Sequence, residues 1–593
     1  MKNLLLLCMF YAGHTAGRQC VSAYCIRRET APLRTVLFVR RGAVVVCNMS
    51  RRKQEEKLNA LISGAGIERI QPPCGYFGRC GGCAYQNIAY EDQLKIKAAQ
   101  VVSLLSEKAG KPEMEKDIAA FVQSLLPEEQ GGIQTEHAAS LKSENAKNTH
   151  SLFPDEKAQG APGTLSDEKV KKTAAQSGSW VFEGIDRSPD IYGYRNKMEF
   201  SFGDEMKGGP LALGLHKKRS FYDIVNIRKC LICPDDMNLI RNTVLDYFAP
   251  LYAQGQIDYV NTKSHAGYLR HLLLRRACNT GEILIGLVTS TPQKSVKLDA
   301  SKEEELINGL VVKLLSLEAE LDGTIAGICH IYNDSLSDVV QSDAVKILYG
   351  RDYIYEEICS LRFKVSIFSF FQTNSKGAQI LYETARSWAN ELSAAKEGEA
   401  RCAEGGRAAP EALSLQKPVI FDLYSGTGTI AQLMSPAASK VIGIEIVEEA
   451  VEAARENAAL NGIENVRFIS GDVLKILCGS EGDSLAEPDI IILDPPREGV
   501  HPKALGRILG YGCENIIYIS CKIQSLADEL EAFANAGYFP VKARCIDMFP
   551  NAKPQETVCL LGKRKPDTTV RIGIDMEDYY RIREAEKAAE KPL

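Results

Sequence analysis

Residues 419–445 read VIFDLYSGTGTIAQLMSPAASKVIGIE, an apolar run ending in Asp422 and Leu423, a turn carrying Gly426 and Gly428, and a second apolar run closed by Glu445. The same kind of run recurs as VRFIS, DIIILD, NIIYIS and ETVCLL between Pro418 and about Lys565. Such near-continuous apolar segments are what parallel strands covered on both faces show. Between them VEEAVEAARENAALNG has helical periodicity and an Asn-Gly stop. The expectation is an α/β fold whose C-terminal part is a doubly wound, Rossmann-like sheet.

The edge of that sheet carries the chemistry. Glycines after VIFDL let a backbone approach a ligand where a helix begins. Glu445 follows 23 positions after Asp422, where an acidic residue takes both hydroxyls of a ribose. A single G-x-G without a third glycine favours S-adenosylmethionine over a dinucleotide. Asp494 is fixed at the next strand end by Pro495 and Pro496. Arg497 then stands where methyltransferases acting on exocyclic amines of bases have an aromatic residue, which argues against that chemistry. Cys521 ends NIIYI-Ser at a helix entrance, where a lowered thiol pKa is expected. An isolated cysteine is more often inert core, but uracil C5 becomes nucleophilic only after a thiolate adds to C6. Glu556, at the start of the last strand, can remove the C5 proton afterwards.

SFFQTN (369–374), DLYSGTG (422–428), GIE (443–445), DPPREG (494–499), ISC (519–521) and DMFP...ET (547–557) resemble, in order, the RNA uracil-5-methyltransferases. The resemblance implies Gln372, Tyr424, Glu445 and Asp494 as S-adenosylmethionine contacts, Cys521 as nucleophile and Glu556 as proton acceptor. The chain departs from the family's pattern at Lys522-Ile523 and at Ala552–Gln555, which leaves the RNA contacts of those loops less defined than the catalytic pair.

Upstream, Cys74, Cys80 and Cys83 form C-x5-C-x2-C among Gly75, Gly78, Gly81 and Gly82. Three close thiols suit an iron–sulfur cluster lacking one ligand, or zinc. The 23S rRNA branch of the resembling family carries a [4Fe-4S] cluster on a similar segment; this points to Cys230 as fourth ligand, with Cys233 as the alternative. The implied substrate is 23S rRNA, with tRNA next and a non-catalytic iron–sulfur RNA-binding protein as a third reading.

At 593 residues the chain is long enough for several domains. The expected organisation is an N-terminal region (1–70, one strand over Thr35–Cys47, at most a degenerate TRAM-like domain), a cluster segment (71–106) and a disordered insertion (107–180). A central β-rich RNA-binding domain (181–360), the methyltransferase domain (361–565, interrupted at 394–416) and a charged tail (566–593) follow. Composition is that of a globular protein, with 45% hydrophobic and 25% charged residues. A formal charge of −5 gives no global basic field, so RNA contact must be local. Between Arg187 and Lys229 nine Lys or Arg face five Asp or Glu, interleaved with Tyr192, Tyr194, Phe200, Phe202, Phe221 and Tyr222; this reads as a platform for phosphates and unpaired bases, a reading strengthened by the resemblance of YRNK (194–197) and YLRHLLLRR (268–276) to segments of the same family. No apolar run reaches membrane length, and the start, MKNLLLLCMFYAG, matches a secretory signal only weakly. A cytoplasmic monomer is expected.

Overall fold

The computed structural model describes residues 67–114, 180–336, 342–403, 417–479 and 485–564, except 262 and 296, together with four short strands nearer the N-terminus. Those strands, β1 (Leu7–Cys8), β2 (Ala23–Ile26), β3 (Thr35–Arg40) and β4 (Ala43–Val45), form an antiparallel sheet in chain order. The single strand expected over Thr35–Cys47 is therefore a hairpin, with Phe38 opposite Val45. The expected insertion, apart from 107–114 and 180, and the expected tail lie outside the described residues.

Helix α1 (Tyr90–Ala109) follows the cysteine segment. Next comes β5 (Val181–Asp186), which the sequence groups with the central region; instead it pairs with the C-terminal sheet. The central sheet is built from β6 (Lys197–Gly203), β7 (Ala212–His216), β8 (Ile224–Asn226), β9 (Leu269–Arg276), β10 (Glu282–Thr289), β11 (Thr324–Tyr332) and β12 (Ala344–Gly350), in the order β12-β11-β10-β9-β6-β7-β8. Helix α2 (Asp235–Ala253) links β8 to β9, and α3 (Ala300–Leu315) makes the crossover between the parallel pair β10 and β11. The continuous apolar character of β9 and β10 has a direct cause. Leu272, Leu274, Ile283, Ile285 and Leu287 pack with α2 and α3, while Leu273, Leu284 and Val288 on the opposite face join the core containing Trp388 and Phe363. A strand buried on both faces has no polar side to alternate with.

A hairpin, β13 (Tyr353–Ile358) and β14 (Leu361–Ser366), leads into α4 (Ser375–Ala403). That helix runs through residue 403, so the interruption expected from 394 does not begin there; 404–416 lie outside the described residues. The last sheet combines β15 (Val419–Leu423), β16 (Lys440–Glu445), β17 (Val466–Ser470), β18 (Ile490–Leu493), β19 (Asn515–Ser520), β20 (Tyr538–Ile546) and β21 (Glu556–Lys563) with β5, in the order β17-β16-β15-β18-β19-β21-β20-β5. Strands β15 to β19 are parallel, as expected. ETVCLL differs: β21 inserts antiparallel between β19 and β20. This brings Glu556 level with the C-terminal end of β19, since Thr557 pairs with Ser520. Among the described residues no helix is long and apolar enough to cross a membrane.

Candidate active site

The turn after β15 is shaped by backbone geometry. Tyr424 has φ +68°, and its N–H and that of Ser425 both donate to the Ile444 carbonyl, at 2.9 and 3.1 Å. Gly428, at φ +74°, could not carry a Cβ, which would lie 2.5 Å from the Phe468 ring. Gly426, at φ +52°, instead faces open space, and its N–H donates to Glu445 Oε2 at 3.0 Å. Val447 N–H donates to Oε1 at 3.0 Å. Two backbone amides thus fix the Glu445 carboxylate at the end of β16.

A cleft of about 1480 Å³ opens above this edge, lined by Gln372, Tyr424, Glu445, Asp494, Cys521 and Glu556. The structure therefore brings together all six residues expected as cofactor contacts or catalytic groups. Arg497, Tyr382 and Phe549 join them, as do Phe370 and Arg195. Phe370 is 70% exposed, whereas its neighbour Phe371 is core. Asn196 holds the SFFQTN segment by donating to the Gln372 carbonyl at 2.9 Å and to Ser375 Oγ at 2.8 Å.

Carboxyl groups gather at this edge of the sheet. Asp422 is buried and Asp494 partly so, and desolvation pushes their carboxyls up to about 8 and about 7; Asp494 adds to the shift of Asp422. Neither Asp422 oxygen makes a well-formed hydrogen bond, and the Ala431 backbone offsets its burial only in part. Glu556 is raised well above the usual range by burial and then by Asp494, against the pull of Arg497. Cys521 does not have the lowered pKa expected of a helix entrance. Burial first, then the Glu556 and Asp494 carboxylates, push its thiol up to about 11, with Arg497 opposing. A helix terminus contributes about half a charge, and here desolvation, reinforced by the two neighbouring carboxyls, outweighs it.

The loop between β20 and β21 is pinned from far upstream. The Lys97 ammonium on α1, wholly buried, donates to Asp547 Oδ1 at 2.5 Å, to the Phe549 carbonyl at 2.9 Å and to the Pro554 carbonyl at 3.2 Å. Gln93 Oε1 accepts from Asn551 N–H at 2.9 Å, and the N–H groups of Ala84 and Tyr85 donate to the Asn551 carbonyl at 2.8 and 2.9 Å. Residues 84–97 thereby set the loop that delivers Phe549, Ala552 and Glu556 to the cleft. No motif marks these contacts; a lysine in the apolar stripe of α1 is their only sequence signal.

The cysteine segment packs on the central sheet. Gly81 N–H donates to the His216 carbonyl at 3.1 Å, and Cys80 bridges to Lys217. Among the described residues no three or more His, Cys, Asp or Glu side chains are grouped so that they could hold a metal ion. Cys74 and Cys230 are near enough to Cys80 and Cys83 for their charges to raise both thiols, that of Cys83 up to about 12, after burial as the main cause. Cys230 is drawn down to about 7, chiefly by the neighbouring Cys233 thiol, whose Sγ donates to the Cys230 carbonyl at 3.5 Å and to Asn238 Oδ1 at 3.7 Å. Cys233 is the buried donor of the pair and is raised.

The expected RNA platform divides. Tyr194, Phe200 and Phe202 are core, while Tyr192, Phe221 and Tyr222 are exposed. In β6, Met198, Phe200 and Phe202 share the inward face, a period-2 signal readable in KMEFSFG. The arginines of 268–276 are also committed inward: Arg270 donates to the Asn333 and Ser335 carbonyls, at 3.0 and 2.9 Å, and Arg275 to the carbonyls of Ile367, at 3.0 Å, and Ser369. Arg276 pairs with Asp236 at 2.5 Å.

A family model described as a methyltransferase domain matches residues 416–536. Curated relatives include an uncharacterized RNA methyltransferase of Caldanaerobacter subterraneus subsp. tengcongensis, 38% identical over 91% of this chain and 95% of the relative. Another, from Clostridium tetani, is 37% identical over 89% of this chain and 91% of the relative. Among solved structures, the Pyrococcus abyssi tRNA (uracil-54, C5)-methyltransferase in complex with S-adenosyl-L-homocysteine aligns over 88% of this chain and 91% of its own, with a TM-score of 0.51 at 19% identity. That likeness is one of fold.

Proposed function

The chain belongs to the RNA methyltransferases, and from this premise we propose that it transfers a methyl group from S-adenosylmethionine to C5 of a uridine in 23S rRNA. The observation that carries the reading is the meeting of Cys521, the one cysteine among the described residues of the cleft, with Glu556 and Asp494 close enough to shift its pKa. Base methylation on an amine or ring nitrogen needs no thiol there. Uracil C5 does, because addition at C6 is what gives C5 its nucleophilic character.

S-Adenosylmethionine fits the donors present. Glu445, held by Gly426 and Val447 N–H, suits a ribose diol. Asp494, which lines the cleft, and the buried, poorly partnered Asp422 behind it make an acidic edge that a cationic ligand would relieve. Gln372 and Tyr424 line the walls. When bound, the cofactor supplies the electrophilic methyl group. Cys521 Sγ adds to C6 of a uracil taken out of its stack, and C5 gains the methyl. Glu556 then removes the C5 proton, so that the C6–S bond breaks and the thiolate leaves. Arg497 lowers both Cys521 and Glu556 and so keeps more of each in its reactive, ionised form.

We further propose a [4Fe-4S] cluster on Cys74, Cys80, Cys83 and Cys230, supported by the C-x5-C-x2-C spacing and by the influence of Cys230 on Cys80 and Cys83, with Cys233 as the alternative fourth ligand. Iron and zinc content of the purified protein separates this from a zinc site. The functional test is incubation with 23S rRNA and tRNA containing 5-fluorouridine. A covalent complex on 23S rRNA that is lost in Cys521→Ala is expected. A complex on tRNA alone would reassign the substrate, and no complex with either would sink the uracil-5 reading.

A further inference from the structure

Seven residues between β7 and β8, Lys217-Lys218-Arg219-Ser220-Phe221-Tyr222-Asp223, make a hairpin tip that buries little of its own aromatic surface. Phe221 is 85% exposed and Tyr222 58%. The tip is not slack. Lys217 N–H donates to the Asp223 carbonyl at 2.9 Å and Ser220 N–H to the Lys217 carbonyl at 2.9 Å. Ser220 Oγ accepts from the N–H groups of Tyr222 and Asp223, at 3.3 and 3.1 Å. From outside, Lys218 N–H donates to the Arg79 carbonyl at 2.7 Å, tying the tip to the cysteine segment. Opposite stands a second tight loop, in which Asn261 Oδ1 accepts from Lys263 and Ser264 N–H, at 2.9 and 3.1 Å. It sets Lys263 Nζ 4.8 Å from the Tyr222 ring centre.

Between the two loops lies a cavity of about 360 Å³, lined by Phe221, Tyr222, Tyr259, Lys207 and Lys263 among others. It shares no lining residue with the cleft that holds Cys521. The local charge is positive. Lys207, Lys218 and Arg219 make no ion pair with a described residue, and of the nearby acids Asp223 faces Lys217 at 3.9 Å while Asp204 accepts Gly208 N–H at 2.7 Å.

We propose that this hairpin and the facing Lys263 loop form a second RNA subsite, which takes an unpaired nucleotide other than the one being methylated. Displaying a rigid phenyl ring to water has a solvation cost that folding here does not recover. Exposed rings alone would suit an apolar protein partner; rings interleaved with uncompensated cations suit a polyanion with flat faces. Stacking on Phe221 and Tyr222, with phosphates on Lys218, Arg219 and Lys263, is the pattern of single-strand platforms. The inference rests on RNA being the substrate.

The test uses the full-length protein and the RNA it methylates. Phe221→Ala with Tyr222→Ala is expected to raise KM for RNA about ten-fold, leaving kcat at saturating RNA, S-adenosylmethionine binding and the melting temperature unchanged. Phe221→Trp should retain wild-type KM. Lys218→Glu with Arg219→Glu should flatten the dependence of log affinity on log salt by about two contacts. If the wild type methylates RNA and neither pair of substitutions moves KM or the salt slope, the subsite is wrong and a protein partner is left for that face. If the wild type binds RNA but forms no methylated product, the proposed function fails while loss of binding in the variants still supports the subsite.

Discussion

Two sets of thiols in this chain are surrounded by opposite things. Cys521 stands alone in its cleft among carboxylates, and its thiol is pushed up to about 11. Cys74, Cys80, Cys83 and Cys230 lie near enough to influence one another's ionisation, with Cys230 drawn down to about 7 and Arg195 among the causes. A lone thiol among acids resists ionising until a cationic ligand arrives, which suits a nucleophile armed only in the assembled complex. Neighbouring thiols repel as thiolates unless a cation joins them, which suits ligation. The same side chain is assigned its work by its neighbours.

Substitutions can break that distinction. Cys521→Ala should lower turnover on the order of 10⁴-fold while bound metal and S-adenosylmethionine affinity stay at wild-type levels; loss of metal from this variant would erase the division between the two sets. Lys97→Met should cost about 3–5 kcal/mol of stability, because Asp547 would stay buried without its cation, as read by denaturant unfolding. If the proposed cluster is present, Cys83→Ser should remove its metal yet leave alkylation of Cys521 by iodoacetamide unaltered, as followed by mass spectrometry.

Titration sharpens the contrast. The Asp422 carboxyl is raised from 3.8 to about 8, so between those values the folded state holds more protons than the unfolded one. Stability of the ligand-free protein should therefore fall as pH rises from about 4 to about 8. Asp422→Asn should flatten that slope in thermal melts across pH. The smallest effect is expected from Arg497→Gln. Removing the charge that lowers Cys521 should slow its alkylation about three-fold at fixed pH; a faster reaction would contradict the placement of Arg497 as the thiol's counter-charge.

The cleft was largely legible in the sequence because polar residues terminating apolar runs must gather at one edge of a parallel sheet. Asp494 and Cys521 are such residues, and so is Glu445. What was not legible depends on partners remote in the chain. The sign of the Cys521 shift follows from Glu556 arriving on an antiparallel strand, which ETVCLL alone does not reveal. Arg275 reads as an RNA contact in LRHLLLRR, yet it is spent on the carbonyls of Ile367 and Ser369. The aromatics of β6 were legible and were misassigned: strict alternation in KMEFSFG already turns them inward.

The buried contact of Lys97 with Asp547 bears on inheritance. A gene fragment spanning only the doubly wound sheet would carry the nucleophile, the glycine turn and the terminal glutamate, but not the ammonium that holds the loop before that glutamate. The chemistry is therefore not a portable cassette. Recombination that swapped the C-terminal half for a homologue's would have to preserve a complementary lysine some 450 positions upstream, which ties the history of the cysteine segment to that of the catalytic strands.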